Sequence, residues 1–282
     1  MSRDTSSVEH LSFEFFPPRD TDGRQRLVEN VATKLGALQP AYFSVTYGAG
    51  GTTRDGTLQT VQDLLAAGFD AAPHLSMGAD DEQDIRELLD RYAAAGVKRI
   101  VALRGDQPSG FGAQRFTHNA QALVELIRAH CGQTFQIEVA AYPEIHPDAE
   151  SAAADLEFFR RKVDAGADGA ITQYFYNADA YENFLERTTG AGINVPIVPG
   201  IMPITNLAAL MRFSDKCGAE VPRWLQQVLV DRVDDEQATT EIGIEVVSRL
   251  CERLLAMGAP GLHFYTLNQS LPSLKIWNNL GL

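Results

Sequence analysis

Short apolar runs alternate along this chain with stretches whose apolar residues recur at helical spacing. Ile85, Leu88, Leu89 and Tyr92 share one helical face with acids at its start, and Leu27, Val31, Leu35 and Leu38 line another. Ala67-Gly68, Ala95-Gly96, Ala165-Gly166, Ala191-Gly192 and Met257-Gly258 each close such a stretch. Glycine just past a helix takes the left-handed conformation that caps it, so these pairs predict helix-to-strand junctions. The strands read as LSFEFF, AYFSVTYG, AAPHLSM, RIVALRGD, QIEVAAYP, GAITQYF, VPIVPGI and GLHFYTLN. Near-continuous apolar runs suit parallel strands covered by helices. Eight such units predict an α/β fold, a single (β/α)8 barrel of the TIM type, with an open doubly wound sheet as the alternative. The longer interval before the last strand, containing VPRWLQQVLVDRVDDEQ, predicts an extra helical segment between strands seven and eight. No linker or low-complexity stretch divides the chain. Residues 11–282 therefore read as one catalytic domain behind a flexible N-terminus at residues 1–10.

Composition narrows the partners. A formal charge of −13 argues against nucleic acid or an anionic membrane as the main partner. The opening MSRDTSSVEH has no apolar core of a secretory signal, and VPIVPGIMPI is too short and too proline-rich to span a membrane. Cys131, Cys217 and Cys251 are scattered, odd in number and form no CxxC pair, which reads as a reduced, cytoplasmic protein.

In a barrel the carboxyl ends of the strands form the site. There the sequence places Glu14, Thr46-Tyr47, His74, Arg104-Gly105-Asp106, Tyr142 with His146, Gln173, and Tyr265 to Asn268. No lysine stands at a strand tip, which disfavours a Schiff-base aldolase. No histidine pair has metal-ligand spacing. GAGGTTRDG is not GxGxxG and lacks a Rossmann context. What remains is a pair of acids, Glu14 and Asp106, among amide, imidazole and phenol groups able to grip a polar ring system. That set points to proton transfer assisting chemistry carried by an organic cofactor.

Taken in order, FEFFPPR, SVTYGAGG, APHLS, IVALRGD, VAAYPEIHP, KVDAGADGAITQYF, PGIMPITN and HFYTLN resemble the motifs of the 5,10-methylenetetrahydrofolate reductase family, in its short bacterial form. The resemblance runs from about residue 11 to the C-terminus. It implies FAD on the barrel's C-terminal face, NAD(P)H as electron donor, and reduction of methylenetetrahydrofolate to 5-methyltetrahydrofolate for methionine synthesis. It further implies a homo-oligomer. Carried over by motif, Glu14 is the general acid that helps open the folate's five-membered ring to an iminium. Asp106 lies near flavin and pterin, Gln173 contacts the pterin or nicotinamide, and Phe213 packs against whichever is bound. Thr46, Tyr47, Ala49, His74, Arg104, Gly105, Asp106, Thr117, Tyr142, His146, Ala149, Asp155, Arg161 and Lys162 surround FAD, with Arg161 and Lys162 facing its diphosphate. After HFYTLN, where many family members carry an arginine suited to the folate's glutamate tail, this chain has Gln269, a neutral amide that makes no bidentate charged contact. Other readings are a proline-dehydrogenase-like flavin barrel, or a non-catalytic folate- or flavin-binding subunit.

Glu14 itself sits among Phe13, Phe15 and Phe16 before two prolines. Apolar surroundings favour a neutral carboxylic acid, so its pKa is expected to be raised, as a general acid at neutral pH requires. The competing expectation is a glutamate paired with a nearby arginine.

Overall fold

Period-two alternation sorts each strand's side chains between the barrel axis and the helical shell. The computed structural model describes residues 10–47, 54–77, 82–104 and 119–282. Its strands are β1 (His10–Phe15), β2 (Tyr42–Val45), β3 (Ala71–Ser76), β4 (Arg99–Leu103), β5 (Gln136–Ala141), β6 (Gly169–Thr172), β7 (Ile197–Val198), β8 (Gly200–Ile201) and β9 (Gly261–Tyr265). All pair in parallel, in the order β7-β6-β5-β4-β3-β2-β1-β9-β8. β7 and β8 are two halves of the one predicted run VPIVPGI, divided at Pro199. β7 pairs with β6 and β8 with β9, so this single segment closes the sheet. Pro199 has no N–H to give a ladder, while its carbonyl accepts from the His263 N–H at 3.0 Å. The barrel is the predicted one, and the open sheet is excluded.

The five glycine caps all adopt positive φ, from 75° at Gly192 to 116° at Gly166. Three helices, Leu207–Cys217, Arg223–Val230 and Glu236–Ala256, fill the long interval between β8 and β9. The first helical stretch is wound as a π-helix in its middle, Leu27–Ala32. Residues 1–9 of the predicted flexible N-terminus lie outside the described residues, and His10 already belongs to β1.

Phe13 and Phe15 are wholly buried on the outer face of β1. Phe13 stacks on Phe264 with ring centroids 5.5 Å apart, and Phe15 stacks on Phe43 at 5.1 Å. This aromatic layer joins the helical shell, whose burial supplies most of the driving force for folding. The opposite face of β1 carries Ser12 and Glu14 into the barrel, where Tyr42, Ala72, Val101 and Ile171 form a second, smaller apolar cluster. Below them Arg99 of β4 pairs with Glu138 of β5, and the guanidinium lies 4.6 Å from the Tyr42 ring centroid. Gly169 gives this pair its room, since a Cβ there would stand 2.4 Å from Glu138 Oε2.

Candidate active site

Two buried imidazoles meet Glu14. His74 on β3 places Nε2 3.3 Å from Glu14 Oε2, and His263 on β9 places its Nε2 3.5 Å away. Both distances are long for hydrogen bonds. Burial pushes the Glu14 carboxyl up. The charge of His74 and the contacts to both imidazoles outweigh it and hold the group down at about 2. The expectation of a raised pKa is therefore overturned, and the partner is a histidine pair rather than an arginine. The apolar residues around Glu14 in sequence point away from it, into the shell. Burial in turn pushes the His263 imidazole below its ordinary value, against the pull of Glu14. Although two histidines and a carboxylate converge, no group of three such residues among the described residues could hold a metal ion.

The turn after β9 fixes the end of β1. Thr266 Oγ1 donates to the Glu14 carbonyl at 2.6 Å. Asn268 brackets Phe16, accepting from its N–H and donating to its carbonyl, each at 2.9 Å. To do so, Leu267 and Asn268 both take left-handed backbone, at φ 51° and 59°. Such conformations are costly outside glycine and are held only by the surrounding structure. Thr46, just past β2, is buried with its hydroxyl unbonded among the described residues.

A second cluster lies at the ends of β4 and β5. Arg104 pairs with Asp148 at 2.6 Å. Tyr142 meets the His146 ring edge to face at 4.5 Å. The His146 N–H donates to Asp155 Oδ2, and its Nδ1 accepts from the Asp148 N–H. Ala149 closes the turn by donating to the His146 carbonyl at 2.9 Å. Burial, then Arg104, lowers the His146 pKa. Lys162 reaches in from the helix Ala152–Asp164, donates to the Ala140 carbonyl, and is brought down to about 8 by burial.

Adjacent helix positions point about 100° apart, and the basic run divides accordingly. Arg161 turns outward to Glu157, 3.1 Å away, with its guanidinium over the Phe158 ring, so the structure does not bring it beside Lys162. Of the other predicted residues, Tyr47 and Gln173 are half-buried. Gln173 accepts from the Tyr174 N–H through its own side chain. Phe213 is 40% exposed on the helix Leu207–Cys217, and Gln269 is exposed in the turn after β9. Ala49, Gly105, Asp106 and Thr117 lie outside the described residues. Sequence reasoning missed His263 and Ser12, although each stands two positions from a residue it did single out, on the same strand face.

The family profile described as methylenetetrahydrofolate reductase matches residues 2–281, almost the whole chain. The chain belongs to this family. The 5,10-methylenetetrahydrofolate reductase of Escherichia coli is 39% identical over 273 residues, covering 96% of this chain and 90% of the relative. Methylenetetrahydrofolate reductase (NADH) 1 of Arabidopsis thaliana is 37% identical over 96% of this chain, which spans 48% of that longer relative. Among solved structures, an uncharacterized protein from Clostridium thermocellum that binds two copies of 5-methyl-5,6,7,8-tetrahydrofolic acid has the same fold. Its TM-score is 0.71 at 15% identity, covering 96% of this chain and 94% of that one. For this member of the reductase family, no helix among the described residues is long and apolar enough to cross a membrane.

Proposed function

We propose that this chain reduces 5,10-methylenetetrahydrofolate to 5-methyltetrahydrofolate, using FAD and a nicotinamide donor. The observation that carries the reading is Glu14, a carboxyl aimed into the mouth of the barrel between two imidazoles, in a chain of this family. The residues present fit FAD. Lys162 and Arg104 offer cations beside His146, suited to a diphosphate, and the unbonded Thr46 hydroxyl offers a further donor. Thr46, His74, Arg104, Tyr142, His146 and Lys162 would hold it. When bound, FAD supplies the hydride relay between nicotinamide and the one-carbon unit.

The remaining chemistry belongs to side chains. Glu14 delivers a proton to the nitrogen that departs when the folate's five-membered ring opens. Gln173 offers its amide to the pterin edge, and Phe213 supplies an apolar wall. Asp106 is assigned beside the pterin by its LRGD motif. Gln269, being neutral, leaves the folate's glutamate tail to weaker contacts.

The test is an anaerobic titration of the purified holoprotein followed by its visible spectrum. Flavin absorbance should bleach with NADH or NADPH and return on adding methylenetetrahydrofolate. A colourless protein that gains no thermal stability from added FAD would overturn the cofactor. Bleaching that methylenetetrahydrofolate fails to reverse would overturn the substrate.

Lys162 provides an independent check. Its folded pKa of about 8 lies below the ordinary 10.5, so between these values the folded chain holds fewer protons than the unfolded one. Stability of the FAD-free chain, relative to Lys162→Met, should therefore rise with pH across that window. FAD should abolish the rise, because a diphosphate favours the charged lysine. Melting temperatures across the window, with and without FAD, decide it; a pH-independent difference between the two chains would place Lys162 elsewhere.

A further inference from the structure

Ser12 and His263 face one another in register across β1 and β9, both almost wholly buried on the barrel's inner face. Ser12 Oγ lies 2.7 Å from His263 Nδ1. The other ring nitrogen, Nε2, looks up the barrel at Glu14 and has no other polar partner among the described residues. The proposed reaction assigns neither residue a task.

A neutral imidazole carries one proton, and the group bonded to the other nitrogen decides where it sits. If the proton were on Nδ1, it would be donated to Ser12, and an unprotonated Nε2 would face an ionised carboxylate. Two buried acceptors would then confront each other with no hydrogen between them, which costs the desolvation of both. If Ser12 donates to Nδ1, the proton sits on Nε2 and points at Glu14. Tyr42 packs against the His263 ring from below, with ring centroids 6.4 Å apart. Beneath it the Arg99 guanidinium covers the Tyr42 ring. The hydrogens then run in one direction, from Ser12 to His263 to Glu14.

We infer that Ser12 and His263 are positioning residues for Glu14: Ser12 sets the His263 tautomer so that Nε2–H holds the carboxylate, aimed at the substrate. The inference deepens the proposed folate reduction and rests on it only for its kinetic consequence. The other titratable groups facing the pair are His74 from β3, Tyr42 from β2 and Tyr265 from β9, with Arg99 and Glu138 lower in the barrel. Tyr265 is turned away, its hydroxyl donating to the Thr172 carbonyl at 2.8 Å.

Two replacements separate positioning from proton carriage and from space filling. His263→Gln puts an amide N–H near the place of Nε2–H but does not titrate. His263→Asn keeps a polar group near Nδ1 and withdraws the donor from Glu14. In stopped-flow reoxidation of the nicotinamide-reduced holoprotein by methylenetetrahydrofolate, the Asn variant should be slower than the Gln variant by about tenfold, the effect of one hydrogen bond to a charged group. Equal loss in both would overturn positioning, either because the ring must titrate or because it only fills space.

A second readout is free of turnover. Nitrogen-15 NMR of histidine-labelled protein, with the His263 signal identified by its loss in a variant, should show the Nε2–H tautomer in the parent. Ser12→Ala should shift that signal toward a mixture of tautomers and move the pH profile of the folate half-reaction. An Nδ1–H tautomer in the parent, or an unchanged one in Ser12→Ala, would overturn the assignment. Should methylenetetrahydrofolate fail to oxidise even the parent, the proposed function falls, while the NMR result still decides the tautomer.

Discussion

Glu14→Gln holoprotein should be reduced by a nicotinamide at close to the parental rate, yet be reoxidised by methylenetetrahydrofolate at least about a hundredfold more slowly. Nicotinamide delivers hydride and asks no proton of this residue. Opening the folate ring needs a proton at the departing nitrogen, and a positioned acid typically supplies about 10²–10⁴-fold. Glutamine keeps the length and the hydrogen-bonding oxygen between the imidazoles but has no such proton to give. Stopped-flow measurement of the two half-reactions separates the outcomes. Equal slowing in both would make Glu14 a structural residue of β1, and no slowing in either would place the acid elsewhere.

The histidine pair alters how that acid works. A carboxyl held at about 2 is ionised at neutral pH in the ligand-free chain. The proton that Glu14 is to donate is therefore acquired once substrate is bound. A substrate that covers the site and removes water raises the carboxyl's affinity for that proton. Stability gives an independent view of the same shift. The folded pKa lies below the ordinary 4.5, so the stabilisation is fully present above 4.5 and is lost as pH falls toward 2. The stability difference between parent and Glu14→Gln should shrink across that window. A constant difference would mean that the carboxyl is not depressed.

The barrel was legible because its signals are local. Each helix end carries its own glycine, and each strand its own apolar run. The division of the seventh strand was not legible, since Val198 and Gly200 pair with different neighbours only once Pro199 is placed in the closed sheet. The site divides in the same way. Glu14, His74 and Lys162 could be singled out from strand ends and motifs, but the environment of Glu14 could not. Its sequence neighbours Phe13 and Phe15 suggested an apolar pocket, whereas alternation sends them to the shell and leaves the carboxyl facing residues of β3 and β9. A pKa is set by what lies across the barrel. Arg161 and Lys162 part for a related reason, because neighbours in sequence on a helix do not share a face.

Arg99→Met should destabilise the chain by about 3–5 kcal/mol at neutral pH, the usual result of removing one member of a buried ion pair. Glu138 is 7% exposed, and burial already raises its pKa despite Arg99 alongside. Without the guanidinium, the carboxylate keeps its desolvation and loses its main compensation. Tyr42 loses the cation over its ring as well. The pH dependence follows from the sign of the shift. A carboxyl whose folded pKa is raised costs stability once pH exceeds its unfolded value, and the full cost is reached above the folded pKa. The loss in Arg99→Met should accordingly be largest at neutral pH and should shrink on acidification, as Glu138 takes up a proton and becomes a neutral buried acid. Arg99→Met combined with Glu138→Gln should recover much of the loss, since an amide is far cheaper to bury than an unpaired charge. Urea unfolding of the parent, single and double variants at neutral and mildly acidic pH tests this. A double variant no more stable than Arg99→Met would show that the arginine acts through packing on Tyr42, and that the charge of Glu138 matters little to the barrel floor.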